Sequence, residues 1–247
     1  MTHLTSPPAS QPEVRMTPIG TFTTPNGRPI SLHIRGDTND GAMVQGILST
    51  DEYELKGLKL EGWALDIGAH VGAVTFALAA DHPNLRIIAV EPVPDNAALL
   101  RESVASNGLA ERVFIEEAAA GPVGTSTLPC HYAYTAGNSD ANYVEQNRFV
   151  GNLWRKGTGT GTAIDSPVVT IPGLMRKYHV ADFRFAKIDC EGCEWKFLKG
   201  TARHIQEIVG EWHDRRWDAV QRLLGATHDL ELVTDYGGSG IFRAGRR

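Results

Sequence analysis

Several groups of polar residues in this 247-residue chain fall where continuous apolar runs end, and their types define the chemistry open to them. Asp66-Ile67-Gly68-Ala69-His70-Val71-Gly72 opens with a carboxylate and brackets a turn with Gly68 and Gly72, which allow the backbone to approach a ligand closely. Asp66 is suited to an ammonium group, directly or through water, and His70 to a helix start whose backbone, rather than imidazole, meets the ligand. Glu91-Pro92 follows Gly72 by nineteen residues. There a carboxylate accepts both hydroxyls of an adenosine ribose and disfavours a 2′-phosphate. Glu117-Ala118 falls where an adenine amine and ring edge would come, so Ala69, His70, Glu91, Pro92, Glu117 and Ala118 together outline one nucleoside. Asp189 and Glu191, followed by His213 and Asp214, supply acids and a base on the same edge.

The turn decides which adenosine cofactor is indicated. A dinucleotide fold spaces its glycines as G-x-G-x-x-G to admit a pyrophosphate, a spacing absent from Gly68-Ala69-His70-Val71-Gly72. Asp66 would repel pyrophosphate but suits the amino group of a methionine moiety, and no Tyr has a Lys four residues on, as many nicotinamide reductases of this size have. S-adenosyl-L-methionine is therefore the cofactor expected, with Asp189 among its contacts. A sulfonium needs little electrophilic help, so the protein must align the acceptor and manage its proton, for which Asp189, Glu191 and His213 are the candidates. The same acids could hold a divalent cation that lowers a hydroxyl pKa. Plainer roles stand beside each: Asp189 and Glu191 as turn and helix-start residues, His213 and Lys187 as packed or paired side chains. The lone C-x-x-C of Cys190 and Cys193 lacks the two further ligands a structural zinc would want. A nicotinamide-dependent oxidoreductase, or a binding protein without chemistry, remains the alternative class.

The elements that must position these residues follow from pattern. Met1 to about residue 18 has too few apolar side chains to order itself and reads as a leader. Between Thr21 and His33, alternation around Pro25-Asn26-Gly27 predicts a hairpin, and Gly41 to Leu48 a short helix, an extension over 19–60. From Trp63 onward, continuous apolar runs alternate with helical ones: strands at Trp63 to Ile67, Leu85 to Val90, Val113 to Ile115, Val168 to Ile171, Phe183 to Asp189 and Ile205 to Trp212. Leu230 to Val233 and Gly240 to Arg243 predict a closing antiparallel hairpin. Continuous strands separated by helices specify an α/β, doubly wound, mostly parallel seven-stranded sheet over 61–247, Rossmann-like, with an antiparallel terminal strand. Residues 130 to 163 break that rhythm and read as an insertion or lid, in which His131, Tyr132 and Tyr134 could grip an acceptor or simply pack.

Composition narrows the partners. A formal charge of −5 provides no broad positive field for phosphate backbones or anionic lipid, so a small-molecule acceptor, with no nucleic acid and no membrane, is expected. Three cysteines, an absent signal-like apolar stretch and no bilayer-length run point to a reducing, cytoplasmic setting, with a homodimer left open.

The run Lys187-Ile188-Asp189-Cys190-Glu191-Gly192-Cys193-Glu194 is similar to the Lys-Ile-Asp-x-Glu-Gly-x-Glu of FkbM-type methyltransferases, a class I S-adenosylmethionine family. Leu65 to Gly72 and Val90-Glu91-Pro92 resemble the same family, and the likeness extends from about Trp63 to Arg243. The resemblance implies methylation of a hydroxyl on a sugar or natural-product scaffold, with transfer to nitrogen the nearest relative. Residues 130 to 163 match nothing in that pattern, which leaves the acceptor open.

Overall fold

A computed structural model describes residues 18–132, 142–144, 162–213 and 217–247, with backbone alone at 142–144 and Thr162. Strands β1 (Ile19–Thr23) and β2 (Pro29–His33) pair antiparallel around a turn in which Gly27 adopts φ +84° and donates to the Thr24 carbonyl, the hairpin expected from Asn26-Gly27. Helix α1 (Asp40–Thr50) follows, then β3 (Gly62–Ile67), α2 (Ala73–Asp81), β4 (Leu85–Val90), α3 (Pro94–Ser106) and β5 (Val113–Glu116). Strands β6 (Ala119–Ala120), β7 (Thr127–Tyr132), β8 (Asn142–Val144) and β9 (Thr162–Val169) come next. Helix α4 (Ile171–Tyr178), β10 (Phe183–Ile188), α5 (Glu194–Leu198), β11 (Ile205–Trp212), α6 (Trp217–Leu224), β12 (His228–Asp235) and β13 (Gly240–Arg246) complete the order.

Seven strands form one sheet in the order β12-β13-β11-β10-β3-β4-β5. β5, β4, β3, β10 and β11 run parallel, and β13 lies antiparallel between β11 and β12. Successive side chains feed two cores. Ala64, Ile87, Ala89 and Phe185 pack under α1, α2, α3 and the hairpin, while Leu65, Ile88, Ala186 and Ile188 pack under α4, α5 and α6. That double covering is why the strands read as unbroken apolar runs, and why α2 is buried from Ala73 through Ala79. Among the described residues no helix is long and apolar enough to cross a membrane.

Three features depart from the sequence reading. The Val168 to Ile171 strand does not join the main sheet: β9 ends at Val169 and pairs with β7 and β6 in a second, four-stranded sheet, β6-β9-β7-β8. Thr170 then caps α4 by accepting from Gly173 N at 3.1 Å. Helix α6 was not foreseen, although Trp217, Val220 and Leu224 fall at its inward spacing. Residues 130–163 are therefore sheet where described; Tyr134 and most of the expected lid, like the leader to residue 17, lie outside the described residues.

Cys190 and Cys193 are joined by a disulfide across 5.7 Å between their Cα atoms, in contrast to the reduced pair expected from the cysteine count. Cys130 is free and buried in β7, where burial first, and Glu91 second, push its thiol up to about 12. A thiol with that pKa holds almost no thiolate at pH 8. Native protein is therefore expected to take up no iodoacetamide, unfolded protein one equivalent, and unfolded, reduced protein three, counted by mass spectrometry.

Candidate active site

The switch in strand order falls between β3 and β10, where the chain leaves the sheet toward opposite faces and opens a crevice at the carboxyl ends. Gly68 and Ala69 there both donate to the Val90 carbonyl at 3.0 Å, and Asp189 N donates to Ile67 O at 3.0 Å, so the ends of β3, β4 and β10 are tied together. Gly68 has φ +76°, and a Cβ on it would lie 1.7 Å from the Asp189 carbonyl oxygen. Only glycine fits. Gly72, at φ +104°, is the N-cap of α2 and packs where a Cβ would meet Leu100 at 2.6 Å.

Glu91 is held ready at the end of β4. Its Oε2 accepts from His70 N at 2.8 Å, and its Oε1 from Val93 N at 3.0 Å and Asn96 Nδ2 at 3.2 Å. His70 contributes its backbone, at φ +50°, as expected of the turn. The N-terminal extension reaches the same point: Arg35 pairs with buried Asp40 and donates to Asn96 Oδ1 at 2.8 Å, so Arg35 orients the amide that orients Glu91.

At the ends of β10 and β11 lies a compact charge cluster. Lys187 donates to Gly68 O at 2.8 Å and stands 3.7 Å from both Asp66 and Asp189. Burial would lower its ammonium, but Asp189 and Asp66 override this and raise it. Asp189 feels the opposite balance: burial would raise it, yet Lys187, His213 and the Tyr53 hydroxyl, donating at 2.9 Å, hold it below the usual carboxylate range. His213 Nδ1 lies 3.0 Å from Glu194 Oε1, while Nε2 lies 3.6 Å from Glu191, 3.7 Å from Glu211 and 4.0 Å from Asp189. Burial alone would lower the imidazole, but its Glu194 hydrogen bond and the surrounding carboxylates raise it to about 10, so it carries a proton at neutral pH. Desolvation and then the Asp189 charge push Glu191 up to about 8. Glu191 also holds φ +54° at the turn tip, an uncommon conformation for a non-glycine residue.

The structure thus gathers Gly68, Ala69, His70, Gly72, Glu91, Asp189, Glu191 and His213 along one edge. Pro92 follows Glu91 and is half-buried there. Others sit differently from a simple strand-end picture. Asp66 is fully buried beneath the turn, with Oδ2 taken by the Thr75 hydroxyl and its carboxyl raised by burial. Glu117 is partly exposed and paired with Arg101 at 2.8 Å, while the strand-end acid, Glu116, is engaged by Lys177 and Tyr178; Ala118 is buried. Asp214, Arg215 and Arg216 lie outside the described residues.

Tyr53, Glu194 and Glu211 were not singled out as site residues from sequence. Glu194 stood in the motif and Glu211 two residues before His213, but nothing near Tyr53 signals a contact across 136 residues. Tyr53 is buried, its ring 5.1 Å from Lys187 Nζ, and it lies between two cavities. One, about 70 Å³, is lined by Asp66, Gly68, His70 and Asp189 beneath α1; the other, a groove of about 860 Å³, is lined by Glu52, Asp189, Glu191, Glu211 and Tyr236. Tyr53→Phe removes a hydrogen bond to a charged acceptor, worth about 1.5–3 kcal/mol. It is expected to weaken S-adenosylhomocysteine binding or turnover at least about tenfold while leaving the circular dichroism spectrum unchanged.

Comparison with known proteins agrees with this architecture. The chain is 24% identical over 228 residues to 31-O-demethyl-FK506 methyltransferase FkbM of Streptomyces tacrolimicus, spanning 79% of this chain and 82% of that protein. It is 24% identical over 184 residues to methyltransferase sdnD of Sordaria araneosa, 67% of this chain and 70% of that one. Among solved structures it resembles a precorrin-6y C5,15-methyltransferase from Geobacter metallireducens GS-15, with a TM-score of 0.51 at 14% identity, covering 85% and 93% of the two chains. It also resembles the 16S rRNA N2 G1207 methyltransferase RsmC of T. thermophilus, with a TM-score of 0.53 at 12% identity over 96% and 52%. These two show the shared fold. The methyltransferase FkbM domain model matches residues 66–237, from the acid that opens the glycine turn to the loop before β13, and the chain belongs to that family.

Proposed function

We propose that the protein methylates a hydroxyl of a small molecule with S-adenosyl-L-methionine. The carrying observation is that Glu191, beside a protonated His213, faces the groove formed by α1, the segment after it and the ends of β10 and β11. The residues fit the cofactor: Asp66 Oδ1 and Asp189 Oδ1 are buried without a hydrogen-bond partner among the described residues, and both residues line the small cavity, where an amino group would satisfy them. Glu91, fixed by three donors, would take the ribose hydroxyls. When bound, the cofactor supplies an activated methyl and leaves as neutral S-adenosylhomocysteine, so the chain has to align the acceptor and receive its proton. Glu191 is the group placed for that receipt, with His213 and Asp189 setting its charge state.

The hydroxyl acceptor is supported by the FkbM relative, whose name places its methyl on an oxygen of FK506. Titration calorimetry with S-adenosylhomocysteine, with NAD as comparison, tests the cofactor: micromolar affinity, about −8 kcal/mol, is expected for the first alone. Radiolabelled methyl transfer to 31-O-demethyl-FK506 and to matched alcohols and amines then tests the acceptor. Labelling of amines only would replace the O-methyl reading with an N-methyl one, and NAD binding alone would move the protein to the oxidoreductases.

A further inference from the structure

The C-x-x-C pair has no part in methyl transfer, yet its disulfide closes across the turn that carries Glu191. Between the two cysteines stand Glu191, at φ +54°, and Gly192, at φ +97°, consecutive left-handed residues of which the first is uncommon outside glycine. The turn is held in two ways. Cys190 N and Gly192 N donate to Glu194 Oε1 at 3.3 and 3.0 Å, and the disulfide ties one end of the turn to the other. A covalent closure placed on a strained turn beside a groove fixes the direction of the Glu191 side chain, half of which is exposed there.

The two cysteines are not equivalent. Cys193 is fully buried, in the core that also holds Phe197 and Leu198, while Cys190 is half-buried at the end of β10. A reductant therefore reaches the Cys190 sulfur first. Once the bond opens, the two thiols need the wider spacing of non-bonded atoms, and the packed side chain of Cys193 cannot provide it. The displacement falls on Cys190 and on Glu191 beyond it. Asp189 is anchored against that movement, because its N–H donates to Ile67 O and its carbonyl backs onto Gly68.

We propose that the Cys190–Cys193 disulfide is a thiol–disulfide switch on Glu191: oxidised, it holds the turn tip at the groove, and reduced, it releases the tip. The co-reactant is a dithiol reductant. One of its thiolates attacks the Cys190 sulfur, the S–S bond breaks, and the electron pair leaves on the Cys193 sulfur. The second thiolate attacks its own partner sulfur and releases Cys190, so the reductant departs as a disulfide, oxidised by two electrons, and each cysteine takes one of the protons it gave up. The loss of turnover on reduction, though not the switch itself, rests on the methyl-transfer reading.

The test compares the two redox forms of one folded protein. Full-length protein is equilibrated in dithiothreitol buffers of rising reduced fraction, quenched in acid, unfolded and alkylated, and mass spectrometry counts one labelled cysteine for the oxidised form and three for the reduced. Circular dichroism should show the fold intact in both. Hydrogen exchange at Cys190 and Gly192 is expected to run at least about tenfold faster after reduction, with exchange in β3 and β4 unchanged. Cys190→Ser should exchange like the reduced form in either buffer; if that variant does not fold, the unaltered protein in its two forms decides alone. Three labelled cysteines before any reductant, reduction only with unfolding, or equal exchange in the two forms overturns the proposal. S-adenosylhomocysteine, titrated into both forms, separates this from the activity. Binding with equal exchange would overturn the switch alone, whereas unequal exchange without binding would overturn the methyl-transfer reading alone.

Discussion

Gly68→Ala is expected to lower unfolding free energy by about 3–5 kcal/mol and to abolish S-adenosylhomocysteine binding in whatever protein remains folded. Two costs combine at this position. The φ of +76° disfavours any Cβ, and the Cβ would stand 1.7 Å from the Asp189 carbonyl oxygen and 2.9 Å from its carbon. Neither atom can yield by a rotamer change, because the Asp189 peptide is bonded to Ile67 O and the Gly68 carbonyl is held by Lys187. Relief would have to separate β3 from β10 where Asp66 and Asp189 meet Lys187, and so would dismantle the site with the fold. Gly57→Ala is the control: Gly57 has φ +77° but nothing within 4 Å of its would-be Cβ, so it carries the backbone cost alone, about 1–2 kcal/mol. Chemical denaturation of both variants separates the terms. If Gly68→Ala is no less stable than Gly57→Ala, the close approach of the two strand ends does not hold the crevice shut as described.

What the sequence made legible was whatever rests on local pattern. Parallel strands covered on both faces leave unbroken apolar runs, so the order β3-α2-β4-α3-β5 and the later β10-α5-β11 could be read directly, together with the acids that end them. The glycine turn announced a backbone need that the Cβ positions at Gly68 and Gly72 bear out. Less legible was anything that depends on what arrives from elsewhere. Burial of Asp66 follows from Thr75 and Lys187 closing over it, and a strand-end position alone cannot tell a cavity wall from a ligand contact. Glu116 and Glu117 differ by one residue, so their faces exchange with the register of β5. Tyr53 and Arg35 reach the site from an extension that lies before the matched family domain, and no spacing rule relates them to Asp189 or Asn96. β9 looked like another strand of the main sheet because a short apolar run does not state its partner.

The same neighbours decide which acid can serve as base, and this leads to the largest expected effect on turnover. Asp189 is engaged by Tyr53 and Lys187 and held below the usual carboxylate range, which makes it a weak acceptor of protons. His213 is already protonated and fixed on Glu194. Glu191 is left, half of its side chain exposed at the lip of the groove; raised to about 8, it accepts a proton only through its ionised fraction, which grows as pH rises toward 8. Glu191→Gln keeps the shape and the turn while removing the proton acceptor, so kcat is expected to fall about 10²–10⁴-fold. S-adenosylhomocysteine affinity should stay unchanged, since Asp66 and Glu91 are untouched. Glu191→Asp should recover part of the loss, because it restores a carboxylate one methylene short of the groove. A structural role for Glu191 makes the opposite forecast: the turn tip at φ +54° would tolerate Gln and Asp about equally, and turnover would follow stability rather than charge. Steady-state rates of the three proteins at saturating cofactor, beside their melting temperatures, separate the two. Equal rates for Glu191→Gln and Glu191→Asp would remove Glu191 from the chemistry and pass proton receipt to a group at the acceptor itself.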